Sequence, residues 1–307
     1  MPVDGPAGTV VAPESPGARA GSVRAPISAD QARRRRRVRT TASYVGLTVA
    51  AIILLFPLYI TVVNSLLPTG SIAHQPPPLF PLHPVWHTYS NAWSKGHLSI
   101  YLRNSVIQTA IIVTAQLFTS VLAAYAFAFL RFPFKRTLFL LVLATLMIPF
   151  EVTFITNLST VTRLGWYNTF EGLTVPFLAT GFGIFLLRQA FLQIPRDLQE
   201  AATLDGYGHW RFMVRVAVPL ARPALAAVGV FSFLGSWNQY LWPLVVTGSN
   251  NNITTLQIGL KLLAGSQIDA NVNEVFAGAI IALAPLAILL IVFQKQLVRS
   301  LTAGSVK

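Results

Sequence analysis

Ile194-Pro-Arg-Asp-Leu-Gln-Glu-Ala-Ala-Thr-Leu-Asp-Gly-Tyr-Gly-His-Trp-Arg-Phe212 is a polar stretch set between two long apolar ones. Its local chemistry predicts a short helix. Asp197 is suited to cap the first turn, and Glu200 follows at the capping-box spacing of three residues. Gly206, just beyond Asp205, supplies the left-handed stop. A helix of about eight residues results, and its centre, Ala201 and Ala202, has so little bulk that another backbone can approach closely. A second helical stretch is expected from about Gly208, with Pro219 and Pro223 opening the next apolar segment.

The rest of the sequence explains why a helix so small is flanked by so much hydrocarbon. Of 307 residues, 53% are hydrophobic and only 11% charged, which is too few polar side chains to cover a soluble surface. There is no Cys, so thiol redox chemistry and Cys-ligated metal sites are excluded. Segments of roughly 20 apolar residues cross a bilayer. Six are read, at 44–66, 105–130, 137–158, 173–191, 219–246 and 275–297. The fold class is therefore an all-α membrane protein with six transmembrane helices and a cytoplasmic helix between spans four and five. The first span is longer than a signal-peptide core and lacks a small-x-small cleavage site, so it is expected to remain as an anchor.

Charge placement gives the orientation. The net charge is +13, and eight of the 23 Lys and Arg lie in the first 39 residues, with Arg33 to Arg37 and Arg39 against the first span. With the N-terminus inside, the outer loops hold only Lys95, Arg103, Arg163 and Lys261, which puts both termini in the cytoplasm. Such a run reads as a topology signal with attraction to anionic lipid, not as a nucleic-acid surface. Residues 1–40 are read as a disordered basic cytoplasmic tail, and 41–307 as the six-span domain, with the informative loop at about 194–216.

Glu200-Ala201-Ala202-x-x-Asp205-Gly206, followed by Pro219 and Pro223, resembles the EAA loop of bacterial ABC-importer permeases. Tyr207 departs from the Ala common there. Met147-Ile-Pro, Leu164-Gly-x-x-Asn168-Thr, Gly172-Leu and Leu301-Thr-Ala-Gly are similar to the carbohydrate-uptake branch, specifically its maltose-type second permease. The resemblance implies that the loop is a coupling helix seated in a cleft of an ATP-binding subunit, with Glu200, Ala201, Ala202, Asp205 and Gly206 as the coupling residues. It also implies a second permease, two ATP-binding subunits and an extracytoplasmic substrate-binding protein in a bacterial inner membrane. No G-x-x-x-x-G-K-[ST] loop occurs here, so ATP and Mg belong to the partners, and no catalytic constellation or metal site is found; His83 and His87 are separated by Pro84.

Polar groups inside apolar spans are costly and so mark function. Glu151 follows Met147-Ile-Pro149-Phe in span three, where Pro149 should kink the helix; it either lines the pathway or pairs with another subunit. Arg188 is expected to snorkel to the inner interface. Ser236-Trp237-Asn238-Gln239-Tyr240-Leu241-Trp242-Pro243 places two amides among aromatics, which suits a sugar or polyol but also an interfacial belt. Trp237, Asn238, Tyr240 and Glu151 are the candidate substrate path. These stretches are most similar to the glycerol-3-phosphate importer's second permease. Alternatives are a di- or oligosaccharide permease of the same family and an ion-coupled secondary transporter, which expects inverted repeats and a buried coupling carboxylate, for which Glu151 alone gives thin support.

Overall fold

The computed structural model describes residues 29–72, 78–94, 97–248, 252–265 and 272–302, with backbone alone at 29–36 and 295–302. All regular structure among them is helical. In chain order the helices are α1 (Ala29–Leu66), α2 (Thr69–Ile72), α3 (His87–Ser94), α4 (Leu98–Phe129), α5 (Lys135–Thr145), α6 (Phe150–Arg163), α7 (Phe170–Thr174) and α8 (Gly181–Leu192). Then follow α9 (Arg196–Leu204), α10 (His209–Phe212), α11 (Val218–Leu220), α12 (Arg222–Trp237), α13 (Leu241–Val246), α14 (Leu256–Gly265) and α15 (Val272–Thr302).

The chain divides into two compact units at Phe56/Pro57. The first contains the opening of α1. This helix starts at Ala29, inside the stretch expected to be a disordered tail, because Ala, Gln and Arg are strong helix formers continuous with the apolar segment. Residues 1–28 lie outside the described residues.

The second unit is built on α4, which packs against α8, α12 and α14. Small residues let α8 approach: a Cβ on Gly183 would run into the Ser120 hydroxyl of α4. Cations close the C-terminus of α4, where carbonyls and the helix dipole favour them. Lys135 Nζ donates to Leu130 O at 2.8 Å. Arg188 Nε donates to Phe127 O at 3.2 Å, and its guanidinium lies 4.1 Å over the Phe139 ring. Arg188 is thus held at the C-terminal end of α4. At the other end, Asn104 Nδ2 donates to Asn252 O (2.8 Å) and Thr254 O (2.9 Å). There too, Asn273 Nδ2 donates to Leu67 O and to Thr88 Oγ1, both at 3.2 Å.

Three helices are long and apolar enough to cross a membrane: Arg37–Leu66, Leu98–Phe129 and Val272–Gln294. Three further pairs pass the same test but are bent, by 96° between α5 and α6, by 42° between Phe170–Phe177 and α8, and by 79° between His209–Leu220 and α12. The expected kink at Pro149 is therefore a break, with Pro149 in an extended conformation (φ −60°, ψ 140°) as the N-cap of α6. The expected fifth span at 219–246 is divided twice, beside Pro219 and Pro223 and again at Asn238–Tyr240.

Candidate functional site

The loop after α8 folds as a nine-residue helix, α9, but not by the capping box. Pro195 takes the N-cap position, with φ −56° and ψ 140°, and no side chain caps the helix. Asp197 is consequently the second helical residue, where its carboxylate still faces the positive helix end. The C-terminus forms as expected. Gly206 has φ +74°, Gly206 N–H donates to Thr203 O (3.0 Å) and Tyr207 N–H to Ala202 O (2.8 Å), the two bonds of a Schellman motif.

Ala201 and Ala202 do not share a surface. Ala202 is 8% exposed and packs into an apolar cluster with Phe191, Phe212 and Tyr125, against which Tyr207 also lies. Its lack of bulk serves this chain's own core, while Ala201, Glu200, Asp205 and Gly206 remain exposed. Tyr207 closes the turn on the body of the protein, and Arg211 stacks over its ring at 4.3 Å. The next turn is fixed by a hydrogen bond between Tyr125 Oη and His209 Nδ1 at 3.2 Å. Two apolar side chains that the sequence reading passed over stand outward here, Leu204 at 90% exposure and Trp210 at 65%. Leu204 follows Ala202 by two residues, about 200° round the helix, so a helical wheel would have separated the two faces.

The second region is the break at Asn238–Tyr240 between α12 and α13. Trp237 is buried: its indole is parallel to Phe233 at 5.4 Å, and Nε1 donates to Ala282 O at 3.3 Å. It supports the break from behind. Asn238 is exposed and donates back to Leu234 O at 2.9 Å, capping α12 with its own side chain. Gln239 Oε1 accepts from Gln108 Nε2 of α4 at 2.6 Å. Tyr240, half-buried, has Lys261 Nζ of α14 5.3 Å from its ring centre. Lys261 thus supplies a cation beside the candidate path, which the sequence alone did not place there because α14 was read as loop.

Glu151 lies in the first turn of α6, exposed, with no hydrogen-bond or ion-pair partner among the described residues. Its neighbour Phe150 packs edge-on to Trp242 of α13 at 5.8 Å, and Phe177 lies 5.8 Å from the same ring. Trp242 is 2% exposed and donates from Nε1 to Gly172 O at 3.0 Å. Phe150 at the start of α6 and Phe177 before α8 therefore meet around one indole of α13. Among the described residues no cluster of His, Asp and Glu could hold a metal ion.

Residues 116–303 match the family model described as binding-protein-dependent transport system inner membrane component. The chain is 32% identical over 265 residues to the sn-glycerol-3-phosphate transport system permease protein UgpE of Yersinia pestis bv. Antiqua (strain Antiqua), covering 84% of this chain and 94% of that one. It is 30% identical over 266 residues to the diacetylchitobiose uptake system permease protein NgcG of Streptomyces coelicolor, covering 86% and 87%. In fold it matches a chain of a bacterial ABC transporter involved in the import of the acidic polysaccharide alginate, with a TM-score of 0.72, 24% identity and coverage of 85% and 97%. The chain belongs to the binding-protein-dependent transport system inner membrane component family, and it is a multi-pass permease subunit of the carbohydrate-uptake ABC importers, not an enzyme.

Proposed function

We propose that this subunit moves glycerol 3-phosphate or a glycerophosphodiester inward by alternating access, with residues 41–307 as a six-span domain and both termini cytoplasmic. It pairs with a second permease, two ATP-binding subunits and an external substrate-binding protein. In this reading α9 is the coupling helix. Glu200, Ala201, Asp205 and Gly206 face the ATP-binding subunit, and Ala202 holds the helix to its own domain. The observation that carries the reading is the exposure of Leu204 and Trp210 on a loop outside the apolar segments, since large apolar side chains left exposed on a polar loop suit a partner surface. Glu151, Asn238 and Tyr240 line the path, and Trp237 supports its wall.

The substrate proposal rests on the glycerol-3-phosphate relative and on Lys261, whose charge beside Tyr240 suits a phosphate. The diacetylchitobiose relative supports a second reading, a neutral oligosaccharide held on the same amides and aromatics. Uptake by proteoliposomes of the complete importer separates the two. Labelled glycerol 3-phosphate should be taken up in an ATP-dependent manner, and Lys261→Gln should raise its KM several-fold. Uptake of diacetylchitobiose alone, unaffected by Lys261→Gln, would reject the first reading.

A further inference from the structure

Between α4, α12 and α15 lies a groove of about 440 Å³. Its walls are Val113 and Leu117 of α4, Phe233 of α12, and Leu289 and Phe293 of α15. Gly229 forms the floor: a Cβ there would lie 3.8 Å from Leu117 Cδ1, so the depth comes from a missing side chain and not from a clash that requires glycine. The one charged group lining the groove is Arg222, the first residue of α12. It is exposed, and it makes no hydrogen bond or ion pair with any described residue.

We infer that this groove binds one anionic phospholipid, an acyl chain in the slot and the phosphodiester on Arg222. Dimensions point to the occupant. From Arg222 to Phe233 is 11 residues, or about 16 Å at 1.5 Å per residue, which is close to the half-thickness of a roughly 30 Å hydrocarbon core. Apolar side chains line that length from Val113 and Leu117 to Phe233, Leu289 and Phe293, which suits a chain of methylenes. Charge decides the headgroup. A guanidinium with no carboxylate partner among the described residues, at the membrane-boundary end of an apolar groove, matches a phosphate anion, and Arg forms paired hydrogen bonds with it.

The position gives the lipid a consequence. Arg222 begins α12 at the 79° bend that joins the α9–α11 loop to the span, so a headgroup held there loads the hinge itself. The inference requires only a membrane-embedded chain and stands whether or not α9 couples to an ATPase.

Native mass spectrometry of the complete importer, titrated with phosphatidylglycerol or phosphatidylcholine, tests it. The wild type should retain one phosphatidylglycerol in preference to phosphatidylcholine. Arg222→Gln should lower that preference by about fivefold, the factor equivalent to about 1 kcal/mol per surface cation, while Arg222→Lys keeps most of it. Gly229→Leu, which fills the slot, should remove that lipid whichever headgroup is offered. If Gly229→Leu fails to assemble, the Gln and Lys pair at 222 decides alone. An unchanged preference in Arg222→Gln overturns the proposal. So does crosslinking of a probe on Gly229→Cys to the sister permease, which would show a protein in the groove.

Discussion

Replacing Gly206 isolates backbone conformation from packing, because a Cβ there meets nothing within 4 Å while φ is +74°. Any cost must come from the left-handed conformation, about 1–2 kcal/mol for an ordinary side chain and more for a β-branched one, with Asn the best tolerated. That conformation holds two hydrogen bonds, Gly206 N–H to Thr203 O and Tyr207 N–H to Ala202 O, and directs Tyr207 onto the apolar cluster. A loss of 1–2 kcal/mol moves the local equilibrium between seated and frayed α9 by about 5- to 30-fold. The added side chain meets no other part of the domain within 4 Å, so assembly should survive. Gly206→Asn, →Ala and →Val should therefore grade from mild to severe in uptake and in binding-protein stimulation of ATP hydrolysis, at constant subunit stoichiometry. Hydrogen exchange at the amides of Gly206 and Tyr207 should quicken in the same order. Full stimulation in Gly206→Val, or an Asn variant as impaired as Val, would refute the reasoning.

Glu200→Lys reverses an exposed charge on α9 and should abolish stimulated ATP hydrolysis without dispersing the complex; normal coupling would remove Glu200 from the interface. Leu204→Glu, at the most exposed apolar position of α9, should lower the amount of ATP-binding subunit that copurifies by about tenfold, and unchanged copurification would exclude that face. Asn238→Leu removes the side-chain cap on Leu234 O, and with Glu151→Gln it should slow uptake several-fold while stoichiometry and binding-protein affinity hold. If both variants transport normally, neither residue lines the path. Cysteines introduced into this Cys-free chain at Gly208 and Ser249 should label only from inside and only from outside respectively, and the reverse pattern would invert the topology.

The fold class and the α9 turn were legible because each rests on local chemistry: hydrocarbon length for the spans, and a glycine at the one position requiring positive φ. The N-terminal cap of α9 was misread because Asp197 and Glu200 satisfy the spacing rule, but Pro195 precedes them and fixes the helix start two residues earlier. Breaks were harder. Pro149 signalled a kink, yet an apolar run carries no measure of angle, and a 96° break needs neighbours to take up the freed backbone groups. Trp237 and Trp242 look equivalent in sequence. Only their partners, the Ala282 and Gly172 carbonyls, show that both are buried supports and not exposed surfaces.

Those neighbours explain why broken helices persist in this chain. A continuous helix satisfies its own amides and presents only side chains, whereas a break releases carbonyls that cost several kcal/mol each in hydrocarbon unless another group bonds them. The unbroken α4 supplies donors at two of these sites. Gln116 Nε2 donates to Phe177 O (2.8 Å) and Thr119 Oγ1 to Leu178 O (3.1 Å), at the bend before α8. Gln108 donates to Gln239 at the break between α12 and α13, and Asn104, four residues earlier, holds the strand of chain leading to α14. Asn104, Gln108, Gln116 and Ser120 recur at multiples of four residues, so they form a stripe that winds round the helix by about 40° at each step of four. In sequence this stripe is diluted to a few amides in a span of ordinary hydropathy. In the fold it bonds the chain at the bend before α8 and at the break between α12 and α13, and that break is what places Asn238 and Tyr240 at helix ends.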